Sequence, residues 1–192
     1  MLRSHTCNEA RAADEGQEMV LVGWVDSLRD HGGVRFLDLR DRYGRTQVTL
    51  HPDRLGERFA LDQLRCEQVV QVRGVVRLRP EGMQNPRLDT GKVELEAVEV
   101  EVLGDCPPLP FDLSETAGEV GEELRFRYRY LDMRRDSVKD RFIFRSNLLH
   151  SMRDFLHREG FVELETPVLT KSTPEGARDF LVPSRISPGP ST

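Results

Sequence analysis

Phe36-Leu-Asp-Leu-Arg-Asp-Arg-Tyr-Gly-Arg-Thr-Gln-Val-Thr-Leu50 alternates with period two on either side of a turn, and this pattern decides how the first half of the chain folds. Before the turn, Leu37 and Leu39 face one way while Phe36, Asp38 and Arg40 face the other. Asp41-Arg-Tyr-Gly44 has the composition of a turn. After it, Thr46, Val48 and Leu50 share one face and Arg45, Gln47 and Thr49 the opposite one. Two such strands make a hairpin with an apolar side for a core and a polar side for solvent or a ligand.

Upstream, Val20, Val22 and Trp24 alternate with their neighbours in a first strand. Downstream, Leu55, Phe59 and Leu64 have the spacing of a short packed helix. A fourth strand points Val70, Val72, Val76 and Leu78 inward and Arg73, Arg77 and Arg79 outward, with Gly74 suited to a bulge or bend. The fifth runs from Lys92 to Leu103, and its apolar parity slips between Leu95 and Val98, the mark of a second bulge. Three strands, a helix and two more strands are the plan of a mainly β, five-stranded Greek-key barrel of the OB type, whose strand 2–3 face binds oligonucleotides. No internal repeat is visible.

The 192 residues, 38% hydrophobic and 32% charged, describe a globular chain of one or two domains. Met1-Leu-Arg-Ser-His-Thr-Cys7 has no apolar run behind its arginine, and no stretch approaches the roughly 20 apolar residues of a membrane span, so a cytoplasmic location is expected. Cys7, Cys66 and Cys106 are odd in number and widely spaced, which fits reduced thiols rather than a metal site or a disulfide framework. The net charge of −5 argues against a nucleic-acid partner only until its distribution is read. Ser27 to Arg87 holds twelve Arg and no Lys against eight acidic residues, a local excess of four positive charges.

Within that basic segment Phe36 lies on the polar side of its strand, across the hairpin from Gln47 and near Arg29. A ring so placed can stack an unpaired base, worth about 1–3 kcal/mol, while a neighbouring Gln hydrogen-bonds the exposed base edge. Covering a barrel end is the alternative use of such a ring.

Residues 104–122 are proline- and glycine-rich and acidic, as a linker is. Glu123 to Arg135 reads as a helix carrying Arg125, Arg127, Arg129, Arg134 and Arg135. A second helix starts near Asp136 or Ser137, with Asp140 placed as in a capping box and Phe142, Leu149, Met152, Phe155 and Leu156 on its inner side. It stops at Gly160. A short strand with Phe161, Leu164 and Val168 follows, then a loop holding Pro174, Glu175, Gly176, Arg178 and Asp179. The expected domains are 1–103, a hinge with a basic helix at 104–135, and an incomplete start of an α+β domain at 136–192.

Phe161-Val-Glu-Leu-Glu-Thr-Pro167 resembles motif 1 of class II aminoacyl-tRNA synthetases, and Thr170-Lys-Ser-Thr-Pro-Glu-Gly-Ala-Arg-Asp-Phe180 resembles the loop after it in bacterial aspartyl-tRNA synthetases. Arg127-Tyr-Arg-Tyr-Leu-Asp-Met-Arg-Arg135 is similar to the same family. Gly23-Trp-Val25, Arg29-Asp-His-Gly-Gly33 and Phe36 to Arg42 resemble its anticodon-binding OB domain. Carried over by position, the resemblance implies that Arg29, Phe36 and Gln47 meet the anticodon bases, with Asn85 and Glu94 beside them. It also implies that Glu175 lies in a loop closing on bound aspartate, and that Pro167 packs in a two-fold homodimer interface. Where many relatives have Asn-Arg-Arg before the arginine, this chain has Asp26-Ser27-Leu28, which removes cationic contacts to the tRNA backbone.

The resemblance covers the N-terminal third of such an enzyme. Motifs 2 and 3, which supply arginines for ATP phosphates, are not found, and about 70 residues after the linker are too few for a large antiparallel sheet with both faces covered. No catalytic residue and no metal ligand is assigned. The full-length enzyme is expected to use ATP and magnesium to attach aspartate to tRNA-Asp, whereas the 192-residue chain is expected to bind tRNA without activating aspartate. His31 and Gly82 match the branch of the family relaxed between tRNA-Asp and tRNA-Asn. A stand-alone OB-fold tRNA-binding module would explain the barrel but not the motif 1 region. An asparaginyl- or lysyl-tRNA synthetase is disfavoured by Thr173-Pro-Glu-Gly-Ala-Arg-Asp179.

Overall fold

The computed structural model describes residues 2–55, 64–114, 120–169 and 182. The chain divides into two compact units, Met1–Phe111 and Asp112–Thr192.

The first unit carries β1 (Glu18–His31), β2 (Val34–Arg40), β3 (Arg45–Leu50), a helical turn α1 (Pro52–Leu55), β4 (Val69–Leu78) and β5 (Val93–Gly104). The strands close in the order β1-β2-β3-β5-β4, with β4 returning to pair with β1. Only the β3–β5 pairing is parallel among these. This is the expected OB barrel, and closure spares its strands an open edge.

The interior follows from the alternation. Leu37, Leu39, Val48, Leu50, Val70, Val72, Val76, Val93 and Leu95 are all buried in one cluster. In β1 the interior takes Met19, Leu21 and Val25, so Val20, Val22 and Trp24 form the half-buried outer face. Both expected irregularities lie in one place. The β4–β5 ladder shifts between Arg73 and Gly74, where Gly74 pairs with Ala97 and Arg73 with Glu99, leaving Val98 exposed and returning Val100 to the interior. A side chain at position 74 would collide with the Glu96 carbonyl and lie 2.9 Å from Leu95 Cγ, so the bend needs glycine. Leu55 packs against the core and Leu64 belongs to it, while Phe59 lies outside the described residues.

Two expectations at the end of β4 are reversed. Leu78 is exposed, and Arg79, expected outside, is 6% exposed. The ladder ends at the Leu78–Val93 pair, so alternation stops governing the next residue. Arg79 is instead turned inward, its backbone N–H bonding Lys92 O and its Nε donating to Val93 O at 2.8 Å.

The described secondary structure of the second unit is α2 (Glu122–Arg127), α3 (Arg129–Asp132) and α4 (Asp136–Arg158). The single basic helix expected over 123–135 breaks at Tyr128, where φ is −114° and ψ 46°. The break lets Arg125 fork onto Asp132 at 3.0 and 3.1 Å, and the Asp132 carboxylate is fully buried. At the start of α4 the cap is Arg135, whose side chain makes no capping bond, so the box expected through Asp140 does not form. Gly160 does end the helix, at φ +87°, with Phe161 N–H bonding Leu156 O at 3.0 Å. Phe142, Leu149, Met152, Phe155 and Leu156 are exposed rather than inward. The strand expected from Phe161 does not form among the described residues. Residues 161–169 are exposed, and no described strand pairs with them, which a strand requires.

Candidate nucleic-acid interface

β1, β2 and β3 lie side by side in a register that pairs Arg29 with Phe36, Phe36 with Thr49, and Asp38 with Gln47. The side chains of the outer face are linked in one line. Ser27 Oγ donates to Asp38 Oδ2 at 2.6 Å, and Arg29 Nη2 donates to Asp38 Oδ1 and Oδ2 at 3.0 and 2.9 Å. The same nitrogen reaches Gln47 Oε1 at 3.5 Å, and Gln47 Nε2 donates to Glu94 Oε2 at 2.9 Å. Gln47 is thereby oriented from both ends, by a cation on its oxygen and a carboxylate on its nitrogen.

Phe36 stands half-buried at the head of this line, outside the core cluster. The His31 ring meets it edge-on, centroids 6.2 Å apart at 67°. The Gly32–Gly33 turn makes this approach by joining β1 to β2 in two residues, both at positive φ, 64° and 90°. Such a turn demands glycine or a residue like it, and it holds His31 opposite Val34, close to Phe36.

Arg79, buried at the end of β4, acts on this face through its charge. Its Nη2 is buried without a hydrogen-bond partner among the described residues. Burial pushes the guanidinium below its ordinary pKa, the charges of Glu94 and Asp38 oppose that shift, and Arg29 adds to it. Those three charges are near enough to act on Arg79 electrostatically. With two cations and two anions the face has no net pull on phosphate; its donors and acceptors suit the edge of a base, and its ring suits the face of one. Arg40, on the same side of β2, is excluded from such use. It is buried between Asp26 at 2.6 Å and Glu67 at 2.7 Å, beside the Trp24 ring.

The structure thus brings together Arg29, His31, Phe36, Gln47 and Glu94. It adds Ser27, Asp38 and Arg79, which sequence reasoning missed. Asp38 was available as the polar-face residue next to Phe36 in β2, whereas nothing in the alternation announces the inward turn of Arg79. Asn85 lies in the loop between β4 and β5, where its Oδ1 accepts Arg87 N–H at 3.1 Å, and no hydrogen bond joins it to Gln47 or Glu94. Gly82 is exposed at φ +85°, and a Cβ there would meet open space. Glycine is favoured at 82 by backbone conformation, not by the room it leaves. In the second unit Pro167 is exposed, and Glu175 lies outside the described residues. Among the described residues no group of three or more His, Cys, Asp or Glu could hold a metal ion, and no helix is long and apolar enough to cross a membrane.

A closed five-strand barrel with an aromatic platform and a donor–acceptor line on its strand 2–3 face defines an OB-fold nucleic-acid-binding domain, and the family model of that description matches residues 19–103. Residues 121–191 match the model of class II tRNA synthetases (D, K and N). The two models match successive segments of the chain, which is therefore similar to class II tRNA synthetases over both. The chain is 52% identical over 190 residues to the aspartate–tRNA(Asp/Asn) ligase of Thermotoga maritima, covering 98% of this chain and 32% of that enzyme. The aspartate–tRNA(Asp/Asn) ligase of Mycolicibacterium paratuberculosis is likewise 52% identical, over 98% of this chain and 31% of its own length. The chain therefore spans about a third of the curated relatives it matches. Among solved structures, asparaginyl-tRNA synthetase from Pyrococcus horikoshii in complex with asparaginyl-adenylate aligns with a TM-score of 0.78 at 25% identity, over 92% of this chain and 39% of that one. Aspartyl-tRNA synthetase from Entamoeba histolytica shares the fold, with a TM-score of 0.78 at 19% identity over 91% of this chain and 42% of that one.

Proposed function

We propose that the chain is the anticodon-reading part of an aspartate–tRNA ligase, with residues 1–103 forming the anticodon-binding domain, 104–135 a hinge and 136–192 the start of the catalytic domain. The observation that carries this reading is the Arg29–Asp38–Gln47–Glu94 line beside the Phe36 ring. One base stacks on Phe36, and Gln47, held by Arg29 and Glu94, offers its amide to a neighbouring base edge. The whole enzyme attaches aspartate to tRNA using ATP and magnesium. The described residues offer no cluster fitted to the metal, so no step of that chemistry is derived from them. Glu175 is assigned to aspartate, where a carboxylate would meet the ammonium group in a charge-assisted hydrogen bond. A homodimeric whole enzyme belongs to this reading, supported by the exposed apolar side chains of Phe161, Val162, Leu164 and Val168, which alternate with Glu163 and Glu165 around Pro167.

We further propose that this enzyme accepts both tRNA-Asp and tRNA-Asn, a reading supported by its similarity to aspartate–tRNA(Asp/Asn) ligases. Their anticodons differ only in the third base, C or U. His31 stands exposed beside Phe36, and imidazole can accept from the cytosine amino group or donate to the uracil carbonyl. The test is a titration of the chain with anticodon stem-loops ending in C and in U. Affinities within tenfold of each other are expected, and a preference for C beyond about tenfold, or 1.4 kcal/mol, rejects the relaxed reading. An ATP–pyrophosphate exchange assay on the same chain should be silent. Exchange activity would contradict the assignment of this piece to tRNA reading alone.

A further inference from the structure

The second unit holds a basic cleft that the anticodon reading leaves unused. It lies between α2 and α4, encloses about 380 Å³, and is lined by Arg125, Arg129, Arg141 and Arg145 with the rings of Phe126 and Phe142. Each arginine is set differently. Arg125 is spent on the buried Asp132. Arg129 lies over both rings, 5.6 Å from the Phe126 centroid and 5.7 Å from that of Phe142, and its Nη1 is also 3.7 Å from Asp132 Oδ2. Arg141 and Arg145 are exposed and have no ion-pair partner among the described residues. They stand one helical turn apart on a single face of α4, with about 5–6 Å between their Cβ atoms. Glu122 also lines the cleft, so together with Asp132 the group keeps a net charge of +2. That surplus contrasts with the neutral strand 2–3 face of the barrel.

We infer that this cleft binds the phosphate backbone of RNA, at a part of the tRNA other than the anticodon loop. Guanidinium groups suit phosphate because their planar forks hydrogen-bond two oxygens at once. A pair one turn apart on a helix presents two such forks along a line, as a polynucleotide strand presents its charges. Arg129, beside the two rings and paired with Asp132, adds positive charge next to that line. The rings leave ribose or base an apolar wall, Phe126 being 61% exposed. The cleft carries no donor–acceptor line like that of the barrel, so it holds without reading sequence.

This inference rests on tRNA being the ligand, and its test separates the two sites. The whole chain is titrated with a tRNA-Asp transcript and, separately, with the isolated anticodon stem-loop, each over a range of salt. The variant carries Arg141→Gln and Arg145→Gln; both residues are exposed, and circular dichroism should show an intact fold. Whole-tRNA binding should weaken by roughly tenfold at moderate salt, and the slope of log affinity against log salt should fall by about 1.5, two contacts at about 0.7–0.9 each. Stem-loop binding should not change. Replacing both by Lys should restore the salt slope but only part of the affinity, since charge returns without the fork. The inference is overturned if the Gln variant binds whole tRNA with wild-type affinity and slope, or if its only change is in self-association, which would make the cleft a protein contact. If the chain fails to bind the stem-loop but binds tRNA in a manner dependent on Arg141 and Arg145, the cleft stands and the anticodon reading falls. If it binds neither RNA, both fall.

Discussion

Replacing Phe36 by Ala separates a base platform from a core residue. The ring is half-buried and outside the core cluster, flanked in register by Arg29 and Thr49 and touched edge-on by His31. Full truncation of a buried Phe costs about 3–5 kcal/mol; at this half-exposed site the loss should be about 1–2 kcal/mol, small against the roughly 5–15 kcal/mol stability of a typical domain. Binding has more at stake, because a stacked base contributes about 1–3 kcal/mol, which is about a 5- to 150-fold rise in Kd. Phe36→Leu should keep the stability and lose the stacking. The assay is fluorescence anisotropy with a labelled anticodon stem-loop, run beside a thermal melt of each variant. A collapsed Tm with normal binding by the remaining folded protein would make Phe36 a core residue and refute the reasoning. So would wild-type affinity in the Ala variant.

His31→Leu should weaken binding of stem-loops ending in C and in U alike, since an apolar side chain can neither accept from cytosine nor donate to uracil; unchanged affinity for both would remove His31 from the account. Gly74→Ala should cost more than about 2 kcal/mol in urea unfolding, because its Cβ meets the Glu96 carbonyl, whereas Gly16→Ala, at φ +84° with open space around it, should cost about 1 kcal/mol. Equal costs would contradict the packing argument for the bulge. At Glu96 burial pushes the carboxyl up, but the Arg77 hydrogen bond and the charges of Arg54, Arg77 and His51 more than reverse it, so the folded pKa lies below its ordinary value. The stability it adds is present above the ordinary carboxylate pKa and is lost as pH falls through the folded value; Glu96→Gln should flatten that acid limb, seen in melts below about pH 5. An unchanged limb would assign the acid sensitivity elsewhere.

What could be read ahead of the structure follows physical locality. The β2–β3 hairpin was legible because period-two alternation and a turn are local signals, and because one buried face of a sheet fixes its register. The Gly74 bulge was legible for the same reason, as a parity slip in β5. Arg79 was not, since its direction depends on where the ladder ends and on a tertiary bond to Val93 O. The split of the expected 123–135 helix depends on the Arg125–Asp132 fork, a pairing that helical periodicity hides. In α4 the apolar positions were identified correctly, but the inward direction given to them was not: they are exposed, and an apolar stripe does not say what covers it. Within the site, Phe36 and Gln47 stood out as an aromatic and an amide on a polar face, while Asp38, which anchors Arg29, passed as an ordinary solvated charge.

The central claim is that the β1–β2–β3 face, with Glu94 from β5, reads the anticodon. Its most direct measurement is a residue-resolved NMR titration of the isotopically labelled chain with an unlabelled anticodon stem-loop. The account predicts saturable shifts centred on Arg29, His31, Phe36, Asp38, Gln47 and Glu94, abolished when the anticodon bases are scrambled and the stem is kept. Shifts centred on another face of the barrel, or an equal response to the scrambled loop, would contradict it.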